Sequence, residues 1–468
     1  MRQKLSVIFR NTLYCALTLQ CLFGVLWLIG NLGHPQEFAQ TTSPLYALLA
    51  GIFEKLFGFV GLGKGVAFSV LFLAQLAVGF LAVKYALDTF LGHTEKGNKL
   101  HIFGATAILS VPQVLQCAFS PLPDFPAAAG LLTLGTMAFK GCRIVAAGSD
   151  AEDREADEEA GKEAGKEVGK ETDKKTDSNR KQVAYHVMKM CLIWILSAML
   201  LPEYGVFGLF FVVPFIWKLC KVKKMQPAIW AAVIATPVLM VGAYIGLYET
   251  GYLAKQENAL MLSAVSRFVG PDMQHNHKDW PEDFKAVIDW NTAGLIALTT
   301  DGVENVMHPI MRASLTEKEC NRIYLQLVKK AILLRKKSIA KSVTMDFLSY
   351  MFPPYLVPKH LDGIAGDSFT GRNYEIMKAN TPLLAKWYVR YGGFCFFLCV
   401  IAVFFRAFTD KERVKGFKSE VLLLLCMCLY YTMAGSGRMD YKLAVFMIFF
   451  WMIRAVSFML SNTESVEK

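Results

Sequence analysis

GVAFSVLFLAQLAVGFLAVKYAL, residues 65–87, is the stretch on which the fold turns. It matches the roughly 20 apolar residues that a helix needs to cross the hydrocarbon core of a bilayer. Working outward, similar runs lie at 11–29, 101–119 and 125–139, then at 183–201, 205–219 and 226–247, and finally at 389–408, 420–435 and 441–460. The expected fold class is an α-helical integral membrane protein with about ten transmembrane helices. The fourth, sixth and ninth runs are short, at about 16 residues, which suits little tilt or a partly re-entrant path. Between the seventh and eighth lies a long polar segment, which predicts one mainly helical extracytoplasmic domain.

This gives a domain plan. Residues 1–148 hold spans one to four, 149–182 a charged cytoplasmic linker, and 183–247 spans five to seven. Residues 248–388 form the extracytoplasmic domain, and 389–468 hold spans eight to ten.

Charge between the spans sets the orientation, because short cytoplasmic loops retain Lys and Arg. Arg2, Lys4 and Arg10 precede the first span, and alternate loops carry Lys96 and Lys99, Lys140 and Arg143, Lys218 to Lys224, and Lys411 to Lys418. Both termini are therefore expected in the cytoplasm, with the chain in a cell membrane, a bacterial plasma membrane by this reading. The net charge of +11 reads as membrane orientation, and no nucleic-acid partner is expected. No small-residue cleavage pattern follows the first span, which is expected to be retained as a signal anchor. Of the 11 cysteines only Cys320 falls in the outer domain, so an internal disulfide framework there is excluded by counting.

Residues 149–182 are charged, nearly free of large apolar side chains, and repeat GKEA, GKEV, GKET from Gly161. Such a stretch buries too little apolar surface to offset chain entropy and predicts disorder, or else a docking tail. In the outer domain, Thr316 and Glu319 make a capping box. The run behind it predicts a helix with Ile323, Leu327, Ile332, Leu334 and Ile339 near one face. Its other face, with Lys329, Lys330, Arg335, Lys336, Lys337 and Lys341, is either a solvated surface or one that lies over membrane lipids.

Two further segments of this domain have alternative readings. PDMQHNHKDWPEDF offers Asp272, His275, His277, Asp279 and Asp283, either as divalent-metal ligands or as a loop rich in turn formers. No cofactor is otherwise expected. GIAGDSFTGRNYEIMKANTP brings Gly363, Gly366 and Gly371 before Arg372, either to hold a phosphate or as plain turn chemistry. GFVGLGKG at 58–65 has phosphate-loop spacing but places Gly65 where a Ser or Thr should ligate magnesium, and is rejected. Nucleophile-elbow, zinc-helix and paired C-x-x-C motifs do not occur.

Polar residues gather at the outer ends of the spans, where charge near hydrocarbon is costly and marks function. His34 and Glu37 follow the first span in NLGHPQEF, Asp124 sits in SPLPDF, Glu203 turns the next hairpin, and GSGRMDYK gives Arg438, Asp440 and Lys442. Such acids take protons and such cations hold phosphate, although interfacial anchoring and an Arg438–Asp440 ion pair explain the same residues.

This layout resembles the polyprenyl-phosphate-sugar-dependent membrane glycosyltransferases of the GT-C fold, the protein mannosyltransferase-like or family 39-like enzymes. The likeness rests on the inner amino terminus, Glu37 of GHPQEF just past the first span, and Pro112 with the SPLPDFP hairpin. A single carboxylate stands where the family often has an acidic pair, and the large domain precedes the last three spans. What the resemblance implies is sugar transfer from a lipid-linked donor to a glycan or protein acceptor. In that scheme Glu37 is the first and Asp124 the second candidate base, while Arg438, Lys442 and Arg372 hold the donor phosphate. A polysaccharide polymerase or ligase, a transporter, and a non-enzymatic envelope-assembly component remain alternatives.

Overall fold

The computed structural model describes residues 2–31, 43–61, 64–91, 95–119, 123–159, 168–220, 227–249, 259–270, 273–298, 302–352, 382–409, 420–430 and 441–460. Among them every regular element is helical and no strand occurs. The chain divides into two compact units. One comprises Met1–Leu253, Pro354–Lys418 and Tyr441–Lys468, and the other comprises Ala254–Pro353 and Ser419–Asp440.

The first unit opens with α1 (Arg2–Asn31), α2 (Pro44–Phe59), α3 (Lys64–Leu91), α4 (Glu95–Leu109) and α5 (Pro112–Ala118). It continues through α6 (Asp124–Glu159), α7 (Val168–Leu200), α8 (Pro202–Leu219) and α9 (Pro227–Glu249), and closes with helices Pro382–Thr409 and Tyr441–Leu460. Six helices are long and apolar enough to cross a membrane: Val7–Gly30, Val66–Leu91, Asp124–Val145, Gln182–Leu200, Ile229–Gly246 and Trp387–Arg406. A seventh span results if the bent pair Asn98–Leu109 and Pro112–Ala118 counts as one. By length and composition this is a multi-pass membrane protein. Of the other three expected spans, Tyr204–Leu219, Glu420–Tyr430 and Leu443–Ser457 are apolar but shorter.

Helix α6 is the hub of the first unit, packing on α3, α7, α8 and the helix Tyr441–Leu460. Small residues permit this. A Cβ on Gly130 would collide with Ser197 of α7, and one on Gly79 of α3 would collide with Phe125 of α6. Close backbone approach through small residues suits a setting where burial from lipid yields little hydrophobic gain.

One expectation changes here. The span predicted at 125–139 is not short, since its helix is apolar from Asp124 to Val145. The ends of the linker are helical: α6 runs on to Glu159 and α7 begins at Val168. Ala, Glu and Lys are strong helix formers, and a helix already nucleated in a span extends through them at little cost. The glycine-bearing repeat at 161–167 lies outside the described residues. A further element, α2, occupies the expected first outer loop. Pro44 starts it and Ser43 caps it, accepting a hydrogen bond from the Tyr46 backbone N–H. Tyr46 and Ala50 are buried while Leu48, Ile52 and Leu56, one turn apart, stay exposed.

In the second unit, α10 (Ala259–Phe268), α11 (Glu282–Lys285), α12 (Trp290–Leu298), α13 (His308–Ser314), α14 (Glu317–Leu334) and α15 (Lys336–Met351) follow in order. Trp280, Phe284, Met307, Met311, Tyr324 and Leu327 are among its core. The capping box forms as expected: Thr316 N–H and Oγ1 both donate to Glu319 Oε2, at 2.9 and 2.6 Å. The apolar face is different. It runs through Cys320, Ile323, Tyr324, Leu327 and Ala331, whereas Ile332 and Leu334 are exposed. The chain also breaks at Arg335 (φ −128, ψ 31), so Ile339 belongs to α15. The helix Glu420–Tyr430, expected as part of a ninth span, belongs to this unit, with Cys428 Sγ 3.9 Å from Met351 Sδ.

Candidate functional site

The third expected span is broken, with α4 and α5 meeting at 79°. Pro112 lacks the N–H that a continuing helix needs and forces Val111 into an extended conformation (φ −68, ψ 130). Val111 N–H then turns to the Ile108 carbonyl at 3.3 Å. The carbonyls released at the corner find side chains. Gln20 Nε2 donates to Ala107 O at 3.0 Å, and the Tyr388 hydroxyl donates to Ser110 O at 2.6 Å. Irregular backbone at membrane depth is tolerated only when re-satisfied in this way. Two glycines let the neighbouring helices reach the corner, Gly24 against Ser110 and Gly392 against Pro112.

The same bundle buries further polar side chains. Asp124 is buried in the first turn of α6, where a carboxylate meets the positive end of the helix dipole. Its charge acts on the Tyr46 phenol of α2 and on Cys117 of α5. Gln75 Nε2 donates to the Tyr46 hydroxyl at 2.8 Å, and Ser43 Oγ donates to the Met199 carbonyl at 3.3 Å. These bonds tie the start of α2 to the bundle. Burial raises the Tyr46 pKa against the opposing hydrogen bond from Gln75, with Asp124 a minor contributor, so the phenol stays neutral. Gln113 sits one helical turn before Cys117 and is 2% exposed. Neither of its amide atoms has a hydrogen-bond partner among the described residues, and the same holds for Gln75 Oε1 and Gln20 Oε1. A carboxylate, a neutral phenol and buried amides are chemistry suited to a hydroxyl-bearing ligand and to taking a proton from it.

Of the candidate base and phosphate-binding residues, Asp124 is the one whose side chain lies among the described residues. Glu37, Arg372 and Arg438 lie outside the described residues, as do His34 and Asp440. Lys442 is the second residue of the helix Tyr441–Leu460, and its side chain is outside the described set. The metal-loop alternative gains nothing. His277 Nε2 lies 2.8 Å from Ile288 O, Trp280 Nε1 donates to Met273 O at 2.8 Å, and Asp283 pairs with Arg322 at 2.7 Å. The loop's polar groups hold it to its own domain. Among the described residues no three His, Cys, Asp or Glu side chains converge as a metal site, and Asp272 lies outside them.

One cluster escaped the sequence reading. Asp88 of α3 takes Lys84 at 2.9 Å and His101 of α4 at 2.6 Å, with His101 buried. Asp88 lies about 20 Å along α3 from Gln75, at 1.5 Å per residue, so this cluster is separate from the corner. The Lys84–Asp88 spacing of four residues on an apolar helix was the available signal. Comparison with protein-family models, with curated proteins and with solved structures found no match.

Proposed function

We propose that the chain is a membrane glycosyltransferase that moves a sugar from a polyprenyl-phosphate donor to an acceptor at the outer face of a cell membrane, with both termini cytoplasmic. The observation that supports this reading is Asp124, a buried carboxylate in the first turn of α6, in a bundle that also holds a neutral buried phenol and a broken span. In the proposed step the acceptor oxygen attacks the anomeric carbon while the bond from that carbon to the donor phosphate oxygen breaks. The phosphate leaves with the bonding pair, and the acceptor proton passes to a carboxylate. Asp124 fills that role here. Glu37 keeps its candidacy from sequence, and Arg438, Lys442 and Arg372 are proposed to stabilise the leaving phosphate. Hydroxyl-rich sugar groups suit the amides of Gln75 and Gln113.

Asp124→Asn is expected to cut transfer by about 10²- to 10⁴-fold, the usual contribution of a positioned base, with normal expression and melting temperature. Unchanged transfer would remove Asp124 and leave Glu37→Gln as the next variant. A second reading is favoured by the 79° break itself, since broken helices with buried polar groups also mark transporters. Counterflow of a polar solute into vesicles, without release of lipid phosphate, would support that alternative.

A further inference from the structure

We infer that the corner between α14 and α15 docks the second unit onto a membrane surface rich in anionic headgroups. Through Ala331, α14 buries one apolar face. The next three apolar residues do not continue it, and Leu333 and Leu334 are 66% and 52% exposed. Arg335, Lys336 and Lys337 follow directly, and these five residues line a shallow open cavity of about 480 Å³.

Two properties choose the occupant. The first is the pairing of protruding leucines with adjacent cations, which is the pattern of interfacial anchoring: the apolar side chains enter the acyl boundary while the cations meet headgroup phosphates. The second is local charge. Helix α15 begins with Lys336 and Lys337 and has no acid in its first turn. The positive end of its dipole is thus loaded with like charge, a conflict that an external anionic surface relieves. Lys330 donates to the Asp279 carbonyl at 2.5 Å and serves the domain's own packing. A bilayer is at hand because the same chain carries helices able to cross one. The charge complementarity favours lipid over a protein partner.

The test is hydrogen exchange on the full chain in nanodiscs, of phosphatidylcholine alone or mixed with phosphatidylglycerol. Residues 329–341 are expected to exchange more slowly in the anionic discs, by about fivefold for each cation engaged, as the attraction of one basic residue to such a surface implies. High salt and Lys336→Glu/Lys337→Glu should remove the difference, while protection at Ile323 to Leu327 is retained and reports intact folding. Leu333→Ser/Leu334→Ser should weaken it without changing the charge. Equal exchange in both kinds of disc, or protection indifferent to salt and to the lysine substitutions, would overturn the inference and point to a protein contact instead.

Discussion

Tyr388 shows how one side chain holds a broken helix. Its hydroxyl satisfies the Ser110 carbonyl that the turn before Pro112 leaves over. Tyr388→Phe should therefore lower the stability of the purified protein by about 1–3 kcal/mol, the range for a buried polar group deprived of its partner. This would be read as a fall in melting temperature in detergent. Glu319 offers a pH-dependent counterpart in the second unit. Its hydrogen bonds from the Thr316 hydroxyl, then from the Thr316 N–H, lower the carboxyl pKa in the folded state. The carboxyl is thus a weaker base folded than unfolded, so its stabilising contribution is present above the ordinary Glu value of about 4.3 and disappears as pH falls through the folded value. Exchange in the first turn of α14, corrected for intrinsic rate, should rise over that acid window. Thr316→Ala should flatten the response. An unchanged profile in that variant would show that the capping box is not its source.

At the scale of elements, legibility followed the strength of the local signal. The capping box at Thr316 was readable because two side chains and a backbone N–H lie within one turn. The break at Arg335 was not, because Ile332, Leu334 and Ile339 imitate a continuing apolar face although tertiary packing ends it at Ala331. Pro112 was visible, yet its 79° consequence depends on Gln20 and Tyr388, far away in sequence, to satisfy the freed carbonyls. Helix α2 was overlooked because its apolar run is interrupted by Glu54 and Lys55 and falls short of a span. In the candidate site, Asp124 stands out in the sequence from its place in a short hairpin, whereas Tyr46, Gln75 and Gln113 look like ordinary span or loop residues. The packing of α6 on α7 is open to direct trial. Gly130→Val drives two methyl groups into Ser197 and should cost about 1–3 kcal/mol by overpacking, seen as a lower melting temperature. A variant as stable as the parent would mean that α7 shifts freely.

For the whole molecule, length and hydropathy carried the membrane assignment, while the number of spans was less legible. Apolar helices such as Tyr204–Leu219 and Glu420–Tyr430 match the composition of a span without its length, and the latter belongs to the second unit. Composition records what solvent a segment tolerates, and only packing decides whether that segment crosses a bilayer or joins a neighbouring core. The proposed chemistry binds these scales together: a multi-pass bundle admits a lipid-borne donor from the side, the broken span opens polar groups within it, and one buried carboxylate takes the proton. The measurement that tests this most directly is release of polyprenyl phosphate from radiolabelled polyprenyl-phosphate sugars by the purified chain in lipid, run beside Asp124→Asn. The account predicts release with at least one donor and its near loss in the variant at equal folding. A folded preparation that releases phosphate from no donor would contradict it.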